Sequence, residues 1–253
     1  MNKPLILPVG DSAILLEFGR AIDPSIQARV SALDEILTLF PHPAITEWVP
    51  TYRSLLVHYD PLQATYAELA AWLQNWLQHS TSQQGTARRQ VTIPVLYGGE
   101  MGPDLEAVAA HNNLTPEEVI KLHQAPSYLV YMLGFLPGFP YLGGLDQRLI
   151  TPRLATPRTH VPAGSVGIAD LQTGIYPLTS PGGWQLIGRT PLKLYDPQRQ
   201  QPFLLAAGDE LRFQAITQEE FDAIAAEGNA TPYNSPKVPG VSVGAGSYPA
   251  QGR

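Results

Sequence analysis

Apolar positions recur at two rhythms in the first third of the chain. Ala13-Ile14-Leu15-Leu16-Glu17-Phe18, entered by the turn-forming Gly10-Asp11-Ser12 and closed by Gly19, predicts the first strand within residues 4–18. Ile26, Val30, Leu33, Leu37 and Phe40 then follow at helical spacing. They predict a helix with Asp23 as N-cap, Pro24 in its first position, and Pro41 and Pro43 beyond its end. Two strands are expected around Ile45–Val49 and Ser54–Tyr59. Asp60-Pro61 repeats the cap-plus-proline start, ahead of Leu62, Tyr66, Leu69, Leu73 and Trp76 at helical spacing. The order β-α-β-β-α is the beginning of a ferredoxin-like split unit.

The polar stretch His79–Gln90 carries no large apolar residue and is the boundary candidate, which divides the chain into an N-terminal α/β domain over 1–85 and a second domain over 86–216. Val91–Tyr97 reads as a strand that either completes the first unit or opens the second. Residues 103–112 and 115–124 read as two short helices, the second with a capping box of Thr115 and Glu118 and with Pro116 in first position. Strands are expected at Leu192–Tyr195 and near Glu210–Phe213, and a short helix at 217–227. The remainder of the segment 217–253 is rich in Gly, Pro and Ser and is expected to be a flexible tail.

Between these elements the rhythm breaks down. From Gly134 to Pro191 there are 18 Gly or Pro in 58 positions, with Leu, Ile, Val, Phe, Tyr and Trp interleaved throughout. Gly and Pro fix turns while the apolar residues between them line short strands, so this segment reads as tightly turned β structure. It holds four Arg, two Asp, no Lys and no Glu, a local balance of +2 in a chain of net charge −6. Arginine among glycines and aromatics suits a carboxylate or phosphate, because the planar guanidinium offers paired donors.

Composition narrows the function classes. At 253 residues and 44% hydrophobic content the chain can bury full cores. An acidic balance argues against nucleic acid or an anionic membrane as the main partner. With no Cys there is no disulfide, thiolate nucleophile or thiolate metal site. No apolar run approaches a membrane span, and the short apolar start before Gly10 lacks a signal peptide's core, so cytoplasmic residence is the default. The His residues show no metal-ligand spacing, and no G-x-x-x-x-G-K-[ST] loop is present.

Five blocks carry a resemblance. They are Tyr97-Gly98-Gly99-Glu100 with Gly102-Pro103-Asp104-Leu105; Tyr131 through Leu145 (YMLGFLPGFPYLGGL); Thr156-Pro157-Arg158 with Val161 through Ile168 (VPAGSVGI); Thr173-Gly174-Ile175-Tyr176-Pro177 with Ser180-Pro181-Gly182-Gly183-Trp184; and Ile187 through Pro191 (IGRTP). In this order they closely resemble the family of 5-oxoprolinase B subunits, also called allophanate hydrolase subunit 1, which includes the sporulation-kinase inhibitor KipI. The resemblance covers residues 5–216. It implies a small N-terminal α/β domain followed by a cyclophilin-like β-barrel domain, which with the ferredoxin-like order read above makes an α+β chain. It also implies two partners, the C and A subunits of 5-oxoprolinase, and cleavage of the lactam of 5-oxoproline to glutamate with ATP used at the level of the complex. Within the family two other roles stand as alternatives: a carboxyltransferase-like component acting on urea or allophanate, and an inhibitor of a sporulation histidine kinase.

Lactam opening needs donors for a substrate carboxylate, donors for charge developing on oxygen, and a base for water. Arg153, Arg158 and Arg189 are the candidates for gripping the anion, set against a role as braces for turn carbonyls. Arg158 leads because it lies between Pro157 and the Val161–Ile168 block. Gly164-Ser165 and Gly182-Gly183 are candidates for an N–H nest, or are simply turn glycines between strands. Ser165 and Ser180 have no nearby His and acid to make a triad and enter only as substrate-binding candidates. Tyr176, with Phe135, Phe139 and Tyr141, belongs either to the barrel core or to a partner-facing surface, and also joins the substrate-binding set. His123 is a candidate base or a helix-end cap. Glu100 is a candidate for orienting water or for capping the helix near Pro103.

Overall fold

A computed structural model describes residues 3–21, 23–79 and 88–227. The expected tail beyond residue 227 and most of the polar boundary stretch lie outside the described residues. The chain separates into two compact units, Met1–Ala87 and Arg88–Arg253.

In the first unit, β1 (Leu5–Val9) and β2 (Ala13–Glu17) form a hairpin, followed by α1 (Pro24–Leu39), β3 (Ile45–Pro50), β4 (Ser54–Tyr59) and α2 (Tyr66–His79). The sheet order is β1-β2-β4-β3 with every pair antiparallel. Period-2 positions Ile14, Leu16, Leu55 and Val57 meet period-3.6 positions Val30, Leu33, Leu37, Leu69 and Leu73 in one buried cluster. Asp23 caps α1 as expected, its carboxylate accepting the Ser25 N–H at 2.7 Å. The second helix starts later than Asp60-Pro61 suggests. Leu62 is almost fully exposed, and a reciprocal pair opens α2 instead: the Thr65 N–H donates to Glu68 and the Glu68 N–H to the Thr65 hydroxyl. Strand β1 is an element that the sequence reading lacked. It holds the sheet edge beside β2, where a ferredoxin-like unit would need a strand arriving after α2.

That later strand, β5 (Gln90–Tyr97), belongs to the second unit. After it come α3 (Leu105–His111), α4 (Pro116–Gln124), β6 (Tyr128–Leu133), β7 (Pro140–Gly143), β8 (Arg158–Val161), β9 (Ser165–Ala169), β10 (Gln172–Ile175), β11 (Ser180–Gly182), β12 (Gln185–Arg189), β13 (Glu210–Ala215) and α5 (Gln218–Ala226). Seven strands close a barrel in the order β10-β7-β6-β13-β5-β12-β9, and β8 and β11 pair as a separate ribbon. Ile93, Val95, Val130, Leu142, Val166, Ile168, Ile175, Ile187, Leu211 and Phe213 fill its core. The seam is the parallel pair β5 and β13, in register from Gln90 with Glu210 to Val95 with Ala215. An ion pair of Arg89 with the buried Asp209 locks its start, and the Arg89 guanidinium also donates to the Leu204 carbonyl at 2.8 Å.

The capping box of Thr115 and Glu118 is present at the start of α4. The expected strand at Leu192–Tyr195 is not formed as such; Leu192 and Leu194 are core residues in an irregular segment, and only Tyr195 makes an isolated bridge, to Phe203. Helix α5 does not stand apart from the barrel, because Phe221 is buried and Ile224 packs against the barrel core. No helix among the described residues is long and apolar enough to cross a membrane.

Candidate functional site

The turn from Gly98 to Asp104 lies closely along β12. The Gly98 N–H donates to the Ile187 carbonyl and the Asp104 N–H to the Leu186 carbonyl. A Cβ on Gly102 would fall 2.1 Å from the Ile187 oxygen, so only glycine fits there. Asp104 stands at the N-cap of α3, yet its side chain does not cap the helix. Its carboxylate instead accepts the Leu186 N–H at 2.6 Å and an Arg158 N–H at 2.6 Å. Arg158 also donates to the Trp184 carbonyl at 3.4 Å. The leading anion candidate is therefore already engaged with a carboxylate from its own chain, where it ties β8, α3 and β12 together. Glu100 is exposed in this turn, and the cap position expected of it is held by Asp104.

His123 is neither a solvent-facing base nor a helix-end cap. It lies inside the last turn of α4, fully buried, its ring stacked on Phe213 with centroids 4.3 Å apart. Both ring nitrogens are used: Nδ1 lies 2.8 Å from the Tyr97 hydroxyl and Nε2 lies 2.9 Å from the Thr173 hydroxyl. Thr173 donates its one hydroxyl proton to the Gly167 carbonyl at 3.0 Å, so it must accept from His123 Nε2. That fixes the tautomer, and Tyr97 then donates to Nδ1. The chain Tyr97 to His123 to Thr173 to Gly167 runs in one direction around a neutral imidazole. Burial depresses the His123 pKa to about 3, and it raises the Tyr97 pKa well above the ordinary phenol value.

The remaining candidates gather around Tyr176. Its carbonyl accepts the Gly164 N–H at 2.7 Å and its N–H donates to the Ser165 carbonyl at 2.9 Å. Arg189 is the cross-strand partner of Ser165 between β12 and β9. At the other end of the ring, a Cβ on Gly182 would fall 2.4 Å from the Tyr176 hydroxyl oxygen. Burial raises the Tyr176 pKa, offset in part by the Trp184 N–H and by the nearby Arg153 and Arg158 cations. Ser180 is buried on the β11 ribbon, directly opposite Val161. The carbonyl of Gly183 accepts the Leu154 N–H at 2.7 Å. Arg153 is exposed and lies 3.6 Å from Asp170. Beneath these groups Phe139, Tyr176, Trp184, Val161, Ala169 and Leu186 form a cluster separate from the barrel core. Phe139 and Tyr176 are buried, whereas Phe135 is exposed, so the aromatic run is part core and part surface.

Asp104, Tyr97 and Thr173 are the residues that inspection of the sequence did not single out. Asp104 and Tyr97 stand at the ends of the same Gly-rich block, and a carboxylate a few residues from Gly-Glu and far from any Lys was the available signal. A concavity of about 440 Å3 lies on α4, lined by Glu117, Ile120, Lys121, Gln124 and Ala125, and contains none of the predicted residues.

Comparison with known proteins agrees with this architecture. Residues 4–205 match the family described as carboxyltransferase domain, subdomain C and D. The chain is 44% identical over 231 residues to the 5-oxoprolinase B subunit of Bacillus subtilis (strain 168), covering 87% of this chain and 96% of that one. It is likewise 44% identical over 213 residues to the 5-oxoprolinase B subunit of Escherichia coli O157:H7, covering 84% and 96%. Among solved structures, that of TTHA0988 superposes with a TM-score of 0.73 at 42% identity, over 81% of this chain. The match spans only 40% of the TTHA0988 chain.

Proposed function

The chain belongs to the family of carboxyltransferase subdomains C and D, and from that membership we propose that it is the B subunit of an ATP-dependent 5-oxoprolinase, working with the C and A subunits. The carrying observation is the 44% identity to a 5-oxoprolinase B subunit across 96% of that relative's length. The site chemistry is consistent with it. Next to the Ser165–Tyr176 segment, Arg189 is a half-buried cation without a carboxylate beside it among the described residues, suited to a small anionic substrate. ATP, at the level of the complex, phosphorylates the lactam oxygen of 5-oxoproline and leaves as ADP. Water adds to the activated carbon, the C–N bond breaks with the ring nitrogen taking the proton to give a γ-glutamyl phosphate, and a second water releases phosphate and glutamate. This chain's part is to bind and orient the anion; the reading gives no proton transfer to the buried, doubly bonded His123 and keeps the exposed Glu100 as a candidate for orienting water. The same reading takes the barrel as cyclophilin-like, the first unit as a ferredoxin-like variant and the cytoplasm as the compartment.

The test is glutamate release from 5-oxoproline with ATP, by the chain alone and with the C and A subunits. Activity is expected only in the complex. Turnover by the chain alone overturns the shared site, and an inactive full complex overturns the assignment. The family's carboxyltransferase description favours one second reading, a component acting on urea or allophanate. Supplying the complex with those substrates and biotin separates the two.

A further inference from the structure

Two buried polar atoms of the barrel have no hydrogen-bond partner among the described residues, Ser165 Oγ and Arg189 Nε. They belong to residues directly opposite one another on β9 and β12, whose side chains share one face of the sheet about 5 Å apart at Cβ. Neither is a casual surface group. Ser165 is fully buried, and Arg189 is half-buried. Among the described arginines of the barrel unit, every other one stands beside a carboxylate or, like Arg212, is exposed to water. Arg189 has neither a counter-charge nor full hydration, and burial lowers its pKa. A partly desolvated cation beside an unused hydroxyl lacks one thing, an oxygen that accepts from both.

We infer that Arg189 and Ser165 form an oxyanion subsite, in which one oxygen of a small carboxylate or phosphate accepts from Arg189 Nε and from the Ser165 hydroxyl. Gly164 makes it possible. Its φ of +82 and missing Cβ let the turn before β9 close on Arg189 and Thr190, since a Cβ there would sit 2.4 Å from the Thr190 oxygen and 3.2 Å from Arg189 Cγ. Ser165 Oγ and Arg189 Nε are both sealed while the rest of the Arg189 residue is half-exposed, so a ligand arrives from the arginine side and reaches the two atoms only as the Arg189 side chain shifts to admit it. The inference deepens the proposed function and rests on it: the oxygen comes either from the carboxylate of 5-oxoproline or from the phosphate released with it.

The experiment is thermal-shift and calorimetric titration of the full chain with 5-oxoproline, glutamate and inorganic phosphate at matched ionic strength, for the natural protein, Arg189→Gln, Arg189→Lys and Ser165→Ala. At least one anion should raise the melting temperature of the natural protein. Arg189→Gln should weaken that anion by about tenfold or more, and Arg189→Lys by nearly as much, because lysine lacks the fork. Ser165→Ala should weaken binding severalfold while leaving the ligand-free melting temperature unchanged, since the hydroxyl has no bond to lose. Preference for 5-oxoproline over phosphate identifies the carboxylate as the source, and the reverse identifies phosphate. Absence of binding by all three anions, or equal binding by the natural protein and Arg189→Lys, overturns the subsite. So does a lowered ligand-free melting temperature in Ser165→Ala. If the complex with the C and A subunits turns over 5-oxoproline with unchanged KM in Arg189→Gln, the subsite fails and the assignment stands. If the complex is inactive but anion binding depends on Arg189, the assignment fails and the subsite stands.

Discussion

His123 shows how burial redirects a residue whose chemistry invites a catalytic role. Among apolar rings, with both nitrogens bonded, the imidazole is held neutral, and this destabilises the fold only in acid. Its folded pKa of about 3 lies below the unfolded value near 6.5. The unfolded chain therefore carries the extra proton between those values. The contribution is complete above pH 6.5 and is lost as pH falls towards 3, at up to about 1.4 kcal/mol per pH unit. Urea unfolding between pH 7.5 and 5 should show this slope in the natural protein. His123→Leu should be less stable at pH 7.5 by about 1–3 kcal/mol, because Tyr97 loses its acceptor, but should show a flatter profile below pH 6.5. An equally steep profile in the variant would assign the acid sensitivity elsewhere.

At the scale of elements, the sequence was legible wherever a rhythm ran uninterrupted. Val30, Leu33 and Leu37 announced α1, and Thr115 with Glu118 announced α4. It was illegible where the decisive contact is long-range. Strand β1 carries Pro4 before it and Pro8 within it and shows three of its apolar residues to solvent; Pro8 suits a sheet edge, but a short run without alternating burial does not announce a strand. Leu192 and Leu194 look like strand residues but are buried without a ladder. The arginines of the Gly-rich blocks could be recognised as anion-seeking, but not that Arg158 finds its anion in Asp104, 54 positions away along the chain. The turn from Gly98 to Gly102 separates two uses of glycine. Gly99 has φ +53 and open space around it, so Gly99→Ala should cost only the left-handed penalty of about 1–2 kcal/mol. Gly102→Ala drives a Cβ into backbone on β12 and should cost about 3 kcal/mol or more. Chemical denaturation of the two variants checks the order; equal losses would mean that the turn can move away from β12.

For the molecule as a whole, the two units have separate hydrophobic cores. Scanning calorimetry should resolve two transitions, and lowering the pH from 7.5 to 5 should shift mainly the one that contains His123. A single transition that moves as one would show the cores to be coupled. The closing seam of the barrel has its own consequence. Strand β5 finds its parallel neighbour β13 only after more than a hundred residues have intervened. On the ribosome, the nascent chain must wait for residue 215 before the ring can shut, and until then it presents two raw sheet margins to its surroundings. A released, truncated product ending before β13 should thus be a client for chaperones and proteases, while a released product ending just after α5 should escape them.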